Sequence, residues 1–344
     1  MTGWVFIGRR LGNADLELLL ISHTNMNILK FRPHLSDKGW FTRAMNYYFD
    51  CFFPAGATVC VEISADCNLK CVMCPRGGVH GLVNKRRGMM DIEIFKKIID
   101  KFRDENVRVR ELWLANWGEP FLNPLFPEMA RYAKSRLTGA KIIAFSNLNC
   151  LMDPSAVMSS GLDRLEVSMS GMSQEVYSKN HVGGDIKTVL RNIAGLVSAK
   201  KRLRGAMAIA VKFHDYVYNK AEAVLAKDFC RRSGIEFKLA RCSVSCVEGN
   251  AAFQKEKERF SGFYSRFIDL KKEEKIARTL KTPADCMIKC YMVTIDFDGR
   301  LYRCCGVYEE KNLMGSFFDH AIREIPGINS SICDICVKTP ISWR

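Results

Sequence analysis

The stretch "VCVEISADCNLKCVMCPRGG", residues 59–78, decides how the rest of the chain is read. Its opening "VCVEI" is β-branched and apolar, as a buried strand is, and Cys67, Cys71 and Cys74 follow it within eight residues. Thiolates bind soft metals, so zinc and iron–sulfur clusters are the candidate occupants. Zinc in a structural site takes four protein ligands, and the one nearby Cys or His able to complete the set is His80. A cubane on three cysteines instead leaves one iron open to a substrate or cofactor. An open iron is a catalytic device.

Outward from this stretch, residues 57 to about 240 alternate short apolar runs with amphipathic helices. The strands after the first are "ELWLA" (111–115), "KIIAF" (141–145), "RLEVS" (164–168), "AMAIAV" (206–211) and "IEFKL" (235–239). Between them, "DIEIFKKIIDKFRDE" starts at the candidate N-cap Asp91 and places Ile92, Phe95, Ile98, Ile99 and Phe102 on one face. In "DIKTVLRNIAGLVSAKK", Ile186, Val189, Leu190, Ile193, Leu196 and Val197 point inward. Six βα units predict an α/β fold with a parallel sheet and right-handed crossovers. Chemistry in such folds sits at the C-terminal strand ends. The cysteines follow strand one, "NWGEP" (116–120) strand two and "SNLN" (146–149) strand three, while Ser168 and Ser170 close strand four.

Composition bounds the class. A 344-residue chain with 48% hydrophobic and 26% charged residues is that of a folded protein with a large core. The net charge of +15 is spread out, with short runs at 84–88 and 200–205, and reads as solvated surface. No nucleic-acid motif accompanies it. Fifteen cysteines without a clean signal peptide point to the reducing cytoplasm and to metal ligation. The aromatic stretch 40–53 reads as a helix packed on the core, with peripheral membrane contact as its alternative. Residues 1–25 carry no recognisable element, which makes Met26 an alternative start.

Cys67-x3-Cys71-x2-Cys74 after a first strand, with Gly-Glu-Pro after the second, resembles the radical S-adenosylmethionine (SAM) superfamily. The resemblance covers residues 57 to about 240 and implies a partial (β/α)6 TIM-like barrel around a 4Fe-4S cluster held by Cys67, Cys71 and Cys74. SAM would bind the open iron and be cleaved reductively to methionine and a 5'-deoxyadenosyl radical, which abstracts hydrogen from the substrate. The same resemblance assigns Gly118, Glu119 and Pro120 to the SAM amino group, and Ser146, Asn147, Ser168, Ser170 and Arg191 to its remaining contacts. Departures are Met73 at an often aromatic position, Leu148 in place of glycine, and His181 in place of arginine.

Beyond about 281, the Asp298-Gly299 pair between two β-rich runs is a hairpin signal. Cys286-x12-Gly299-x4-Cys304 with Cys333-x2-Cys336 resembles the SPASM/twitch extension of the same superfamily. No cysteine follows Cys336, so one auxiliary 4Fe-4S cluster on Cys286, Cys304, Cys333 and Cys336 is expected, with Cys290 and Cys305 as competing ligands. Four thiolates also suit tetrahedral zinc. The expected organisation is an N-terminal extension (1–56), the core barrel (57–247), a charged helical connector (248–280) and a small cysteine-rich domain (281–344). The expected function is a radical SAM oxidoreductase or modifying enzyme acting on a small polar metabolite or a peptide. Its electron donor would be of flavodoxin or ferredoxin type. The alternative is a zinc-binding interaction protein.

Overall fold

The computed structural model describes residues 4–11, 15–22, 28–31 and 56–340, except 78–81, 83, 151, 152, 245, 278, 281, 284, 285, 287, 289, 290 and 329. His80, Cys290 and the aromatic stretch 40–53 lie outside the described residues. Strands β1 (Trp4–Leu11), β2 (Asp15–Ser22) and β3 (Ile28–Phe31) form an antiparallel sheet in that order. This corrects the expectation that residues 1–25 carry no element. "WVFIGRRL" holds an arginine pair and "LELLL" a near-continuous apolar run, so neither shows the alternation by which strands are recognised.

Six parallel strands follow: β4 (Ala57–Val61), β5 (Val109–Trp113), β6 (Lys141–Ser146), β7 (Arg164–Met169), β8 (Ala208–Asp215) and β9 (Glu236–Arg241). Their order in the sheet is their order in the chain, with neighbours paired parallel throughout, as consecutive right-handed crossovers dictate. The crossovers carry α1 (Ile92–Asp104), α2 (Phe126–Arg136), α3 (Pro154–Met158), α4 (Gln174–Ser178), α5 (Ile186–Leu203) and α6 (Lys220–Ser233). Asp91 caps α1 by accepting the Glu93 N–H, and Phe95, Ile98, Ile99 and Phe102 are fully buried. Burying each such side chain stabilises the fold by about 1.5–3 kcal/mol. The period-two alternation divides each strand: Leu165, Val167 and Met169 of β7 and Ile209, Val211 and Phe213 of β8 join the helix-covered core. Glu166, Ser168, Ala210, Lys212 and His214 therefore occupy the inner face.

The charged connector is three short helices, α7 (Val247–Lys255), α8 (Lys257–Tyr264) and α9 (Leu270–Ile276). Its Phe253, with Tyr264, Phe267 and Ile268, packs on Met73, Tyr216 and Val244 in a second small core. The connector thus covers the residue that precedes Cys74. Beyond it, β10 (Met292–Ile295), β11 (Arg300–Tyr302) and β12 (Leu313–Ser316) do not form a separate sheet. β10 pairs parallel with β4, from Met292 opposite Thr58 to Ile295 opposite Val61, so one nine-stranded open sheet runs through both regions. β11 and β12 extend it antiparallel, and Gly299 supplies the φ of 77° that the Asp298-Gly299 turn requires. The last helix, α10 (Ser331–Lys338), carries Cys333 and Cys336.

Candidate active site

The cysteine loop leaves the C-terminal end of β4 and is laced to the segment after α4. Lys70 N–H donates to the Val182 carbonyl at 3.0 Å, Val72 N–H to the Asn180 carbonyl at 2.9 Å, and Met73 N–H to Asn180 Oδ1 at 3.0 Å. Within the loop, Cys74 N–H reaches the Cys71 carbonyl at 3.1 Å, which closes a tight turn between the two cysteines. Asn147 Nδ2, from the end of β6, donates to Asn68 Oδ1 at 2.9 Å and lies 3.8 Å from Cys67 Sγ.

Burial raises all three thiols: Cys74 to about 11, Cys67 above its usual value, and Cys71 further still because Cys74 and Cys67 repel its anion. A positive centre among the sulfurs reverses that balance, since a coordinating thiol is deprotonated outright. Among the described residues, no three Cys, His, Asp or Glu side chains are drawn together as around a single metal ion. Three soft donors on one loop are the donor set of an iron–sulfur centre.

The Gly-Glu-Pro segment after β5 meets this loop backbone to backbone. Glu119 N–H donates to the Asp66 carbonyl at 2.7 Å, and a Cβ on Gly118 would stand 1.9 Å from the Ser64 carbonyl oxygen. The Glu119 side chain, 2% exposed, accepts hydrogen bonds from Ser146 Oγ at 2.7 Å, Asn147 N–H at 2.8 Å and Phe121 N–H at 3.2 Å. It clamps the end of β6 to the end of β5, and Pro120 opens the 3-10 turn it caps. Burial outweighs these bonds and raises its carboxyl to about 7. Glu62, which accepts Trp117 N–H at 2.9 Å, is likewise raised to about 7 by burial. Leu148, where glycine was expected, sits at φ 55°, a left-handed conformation costing roughly 1–2 kcal/mol in an L-residue. Its N–H is held by Ser146 Oγ at 2.9 Å.

At the end of β7, Ser168 is half-buried on the inner face, while Ser170 is fully buried with Oγ 2.7 Å from His181 Nδ1. Arg191 is exposed on α5 and bonds Thr188 Oγ1 at 3.0 Å; no described contact carries it to the cysteine loop. The sequence reading missed Asn180, Asn219 and Tyr177. Asn219 Nδ2 joins the Ser170 and His214 carbonyls, both at 2.8 Å, and Tyr177 stacks on His181 with ring centres 4.5 Å apart. Polar residues in "YSKNHVGG" beside an apolar helix were the available signal.

Burial lowers His181 to about 3 from an ordinary 6.5, aided by the neighbouring His214, and lowers His214 to about 4, aided by the Lys212 ammonium. A base depressed in the fold contributes stability that is present above pH 6.5 and lost as the pH falls. Each unit below 6.5 costs about 1.4 kcal/mol per histidine, so His181 alone accounts for about 2 kcal/mol between pH 6.5 and 5. Glu62 and Glu119 act with opposite sign, their stabilisation being full below 4.5 and lost as pH rises through about 7. Urea unfolding of the wild type and His181→Gln across pH 5–7 isolates the histidine: the stability difference between them shrinks on acidification. A difference independent of pH contradicts the assignment.

The C-terminal cysteines gather elsewhere. Cys286, Cys304, Cys333 and Cys336 line one pocket walled by Val247, Leu280, Val307 and Ile332. Cys333 and Cys336 share a face of α10 as an i, i+3 pair. Cys304 is half-buried and its thiol is pushed well up, by burial first and then by Cys305, Cys286 and Cys336. Cys305 does not line this pocket; its thiol, raised to about 11 by burial, feels the charge of Lys212 on the barrel's inner face. The segment is tied to the first site: Trp117 Nε1 donates to the Val307 carbonyl at 2.9 Å, and buried Glu248 accepts Tyr308 N–H, Glu309 N–H and Asn312 Nδ2.

Residues 61–214 match the family model of the Radical SAM superfamily. A probable GTP 3',8-cyclase of Methanococcus maripaludis is 28% identical over 179 residues, 51% of this chain and 55% of that protein. The chain therefore spans about half the length of the curated relatives it matches. Among solved structures, native anSMEcpe with bound AdoMet superposes at TM-score 0.55 with 14% identity over 82% of each chain. Streptococcus suis SuiB does so at TM-score 0.53 with 12% identity, over 97% of this chain and 89% of the other. These two likenesses are of fold. Among the described residues, no helix is long and apolar enough to cross a membrane.

Proposed function

We propose that this chain, whose residues 61–214 match the Radical SAM superfamily model, is an enzyme of that superfamily that oxidises or otherwise modifies a small polar metabolite or a peptide with the help of one auxiliary cluster. When bound, a 4Fe-4S cluster with SAM supplies reductive cleavage of the sulfonium and a radical able to abstract hydrogen from carbon. The protein supplies place and shielding. Cys67, Cys71 and Cys74 hold the cluster, and Asn180 and Asn147 fix the loop on which they stand. Gly118 lets the second strand end approach that loop; Glu119 holds Ser146 and Asn147 in line beside it. Ser168 and Ser170 line the end of β7, and the connector helices exclude water behind Met73.

Four thiols in one apolar-walled pocket carry the auxiliary half of this reading. Cys286, Cys304, Cys333 and Cys336 would close a second cluster, leaving it to accept or relay an electron when a substrate radical is oxidised. A flavodoxin- or ferredoxin-type protein is the proposed donor. The small-molecule choice agrees with a relative named for acting on GTP, and the cytoplasm is the proposed compartment.

Iron and sulfide analysis after anaerobic purification tests both halves. About eight irons per chain, with a broad band near 400 nm, is expected for two cubanes. Cys333→Ala is expected to lose about half the iron yet keep forming 5'-deoxyadenosine when reduced with SAM. Stoichiometric zinc without colour would instead support the interaction-protein alternative.

A further inference from the structure

The inner face of the sheet carries a charge arrangement that SAM cleavage does not use. Glu166 of β7, Ala210 of β8 and Glu236 of β9 stand side by side in register, and two residues nearer the C-terminal ends so do Ser168, Lys212 and Lys238. The two carboxylates are already paired. Glu166 holds Arg164 Nε at 3.0 Å and the Lys238 ammonium; Glu236 takes the Arg164 guanidinium in bidentate fashion. Three cations face two carboxylates here, and Lys212 is the one left over.

Lys212 is half-buried, and among the described residues it has no ion pair or hydrogen bond. Its Nζ lies 5.4 Å from the centre of the Phe145 ring, with Trp113 packed edge-on against that ring, and its charge is felt by the Glu166 carboxylate, which already holds Arg164 and Lys238. A cation–π contact is a weak substitute for a carboxylate at a partly desolvated ammonium. Its charge reaches His214 on β8, Cys242 in the loop after β9 and Cys305 after β11. Lys212 therefore sits where the barrel interior meets the C-terminal segment, one strand from Ser168. The solvated-lysine alternative leaves unexplained why the neighbouring cations are neutralised and this one is not.

We propose that Lys212 is the recognition point for an anionic group, carboxylate or phosphate, on the substrate of this barrel. Phe145 and Trp113 form the apolar wall beside it, and the Ser168 hydroxyl is the adjacent hydrogen-bonding group. The proposal rests on the radical SAM reading only in taking the barrel interior as the substrate's place.

Isothermal titration of the full chain with inorganic phosphate, and separately with glutarate, tests this without any SAM chemistry. The wild type is expected to bind at least one of them saturably; phosphate alone indicates a phosphate ester, glutarate alone a carboxylate. Lys212→Met should weaken binding about tenfold or more, the usual scale for a charge-assisted hydrogen bond, while Lys212→Arg should stay within about threefold. Lys201→Met, at an exposed position on α5, should bind as the wild type does. Should Lys212→Met fail to fold, protection of Lys212 from reductive methylation by the same anions in the wild type reads the same contact. Binding of neither anion, undiminished binding by Lys212→Met, or no protection overturns the inference. Anion binding by a protein that makes no 5'-deoxyadenosine would instead sink the functional reading and leave this one standing.

Discussion

Replacing Cys71 with alanine is expected to remove about half the iron and to lower reductant-dependent 5'-deoxyadenosine formation by about three orders of magnitude or more. Three thiols are the smallest set that holds a cluster while leaving one iron open, so the loss of any one leaves two. Cys71 is the middle ligand, and its thiol is the one raised by both neighbours, Cys74 and Cys67. The repulsion that makes three buried thiolates costly without metal is what makes the set bind a positive centre tightly. The auxiliary iron should remain, because Cys286, Cys304, Cys333 and Cys336 line a different pocket. Electron paramagnetic resonance of the reduced variant should show a single cluster type whose signal ignores added SAM. Full activity in Cys71→Ala would overturn the ligand assignment.

Gly118→Ala is expected to cost about 3 kcal/mol of stability and to lower cluster occupancy as well. The new Cβ would stand 1.9 Å from the Ser64 carbonyl oxygen, 2.7 Å from the Ser64 carbonyl carbon and 2.8 Å from the Asp66 carbonyl oxygen. All three are backbone atoms, so no side chain can swing aside. One of them, the Asp66 carbonyl, accepts the Glu119 N–H, and separating the segments breaks that bond together with the register of the cysteine loop. Gly262→Ala is the control. It lies within α8 with nothing inside 4 Å of the place its new methyl group would take, and should be neutral or slightly stabilising because alanine is the better helix former. Urea midpoints and iron content of the two variants separate collision from a general intolerance of alanine. Equal stability of Gly118→Ala and the wild type would refute the close approach.

Much of this was legible because it is local. The N-cap at Asp91, the buried face of α1 and the Asp298-Gly299 turn are each written within a few neighbouring residues. Strand ends were read less well: "VCVEI" and "ELWLA" were placed two residues late, because apolar loop residues such as Ile63 and Leu114 are buried like strand residues. The inward face of α5 was mostly right, although Leu190 and Val197 are only half-buried against the core. Glu119 is an expected site residue in the sequence, but its bonds to Ser146 and Asn147, 27 and 28 residues away, are not legible there. Arg191 followed its helix outward, since a residue's facing depends on what the helix packs against.

The sequence by itself determined the order of strands and crossovers and the clustering of three soft ligands after the first strand. Those are short-range properties, carried by periodicity and spacing. Only the tertiary structure decided that β10 pairs with β4 across more than two hundred residues, that four distant cysteines line one pocket, and that Lys212, unlike Arg164 and Lys238, has no ion pair among the described residues. Pairing between distant segments is chosen by which edges, volumes and charges are left unsatisfied once the local elements have formed, and no window of sequence contains that remainder.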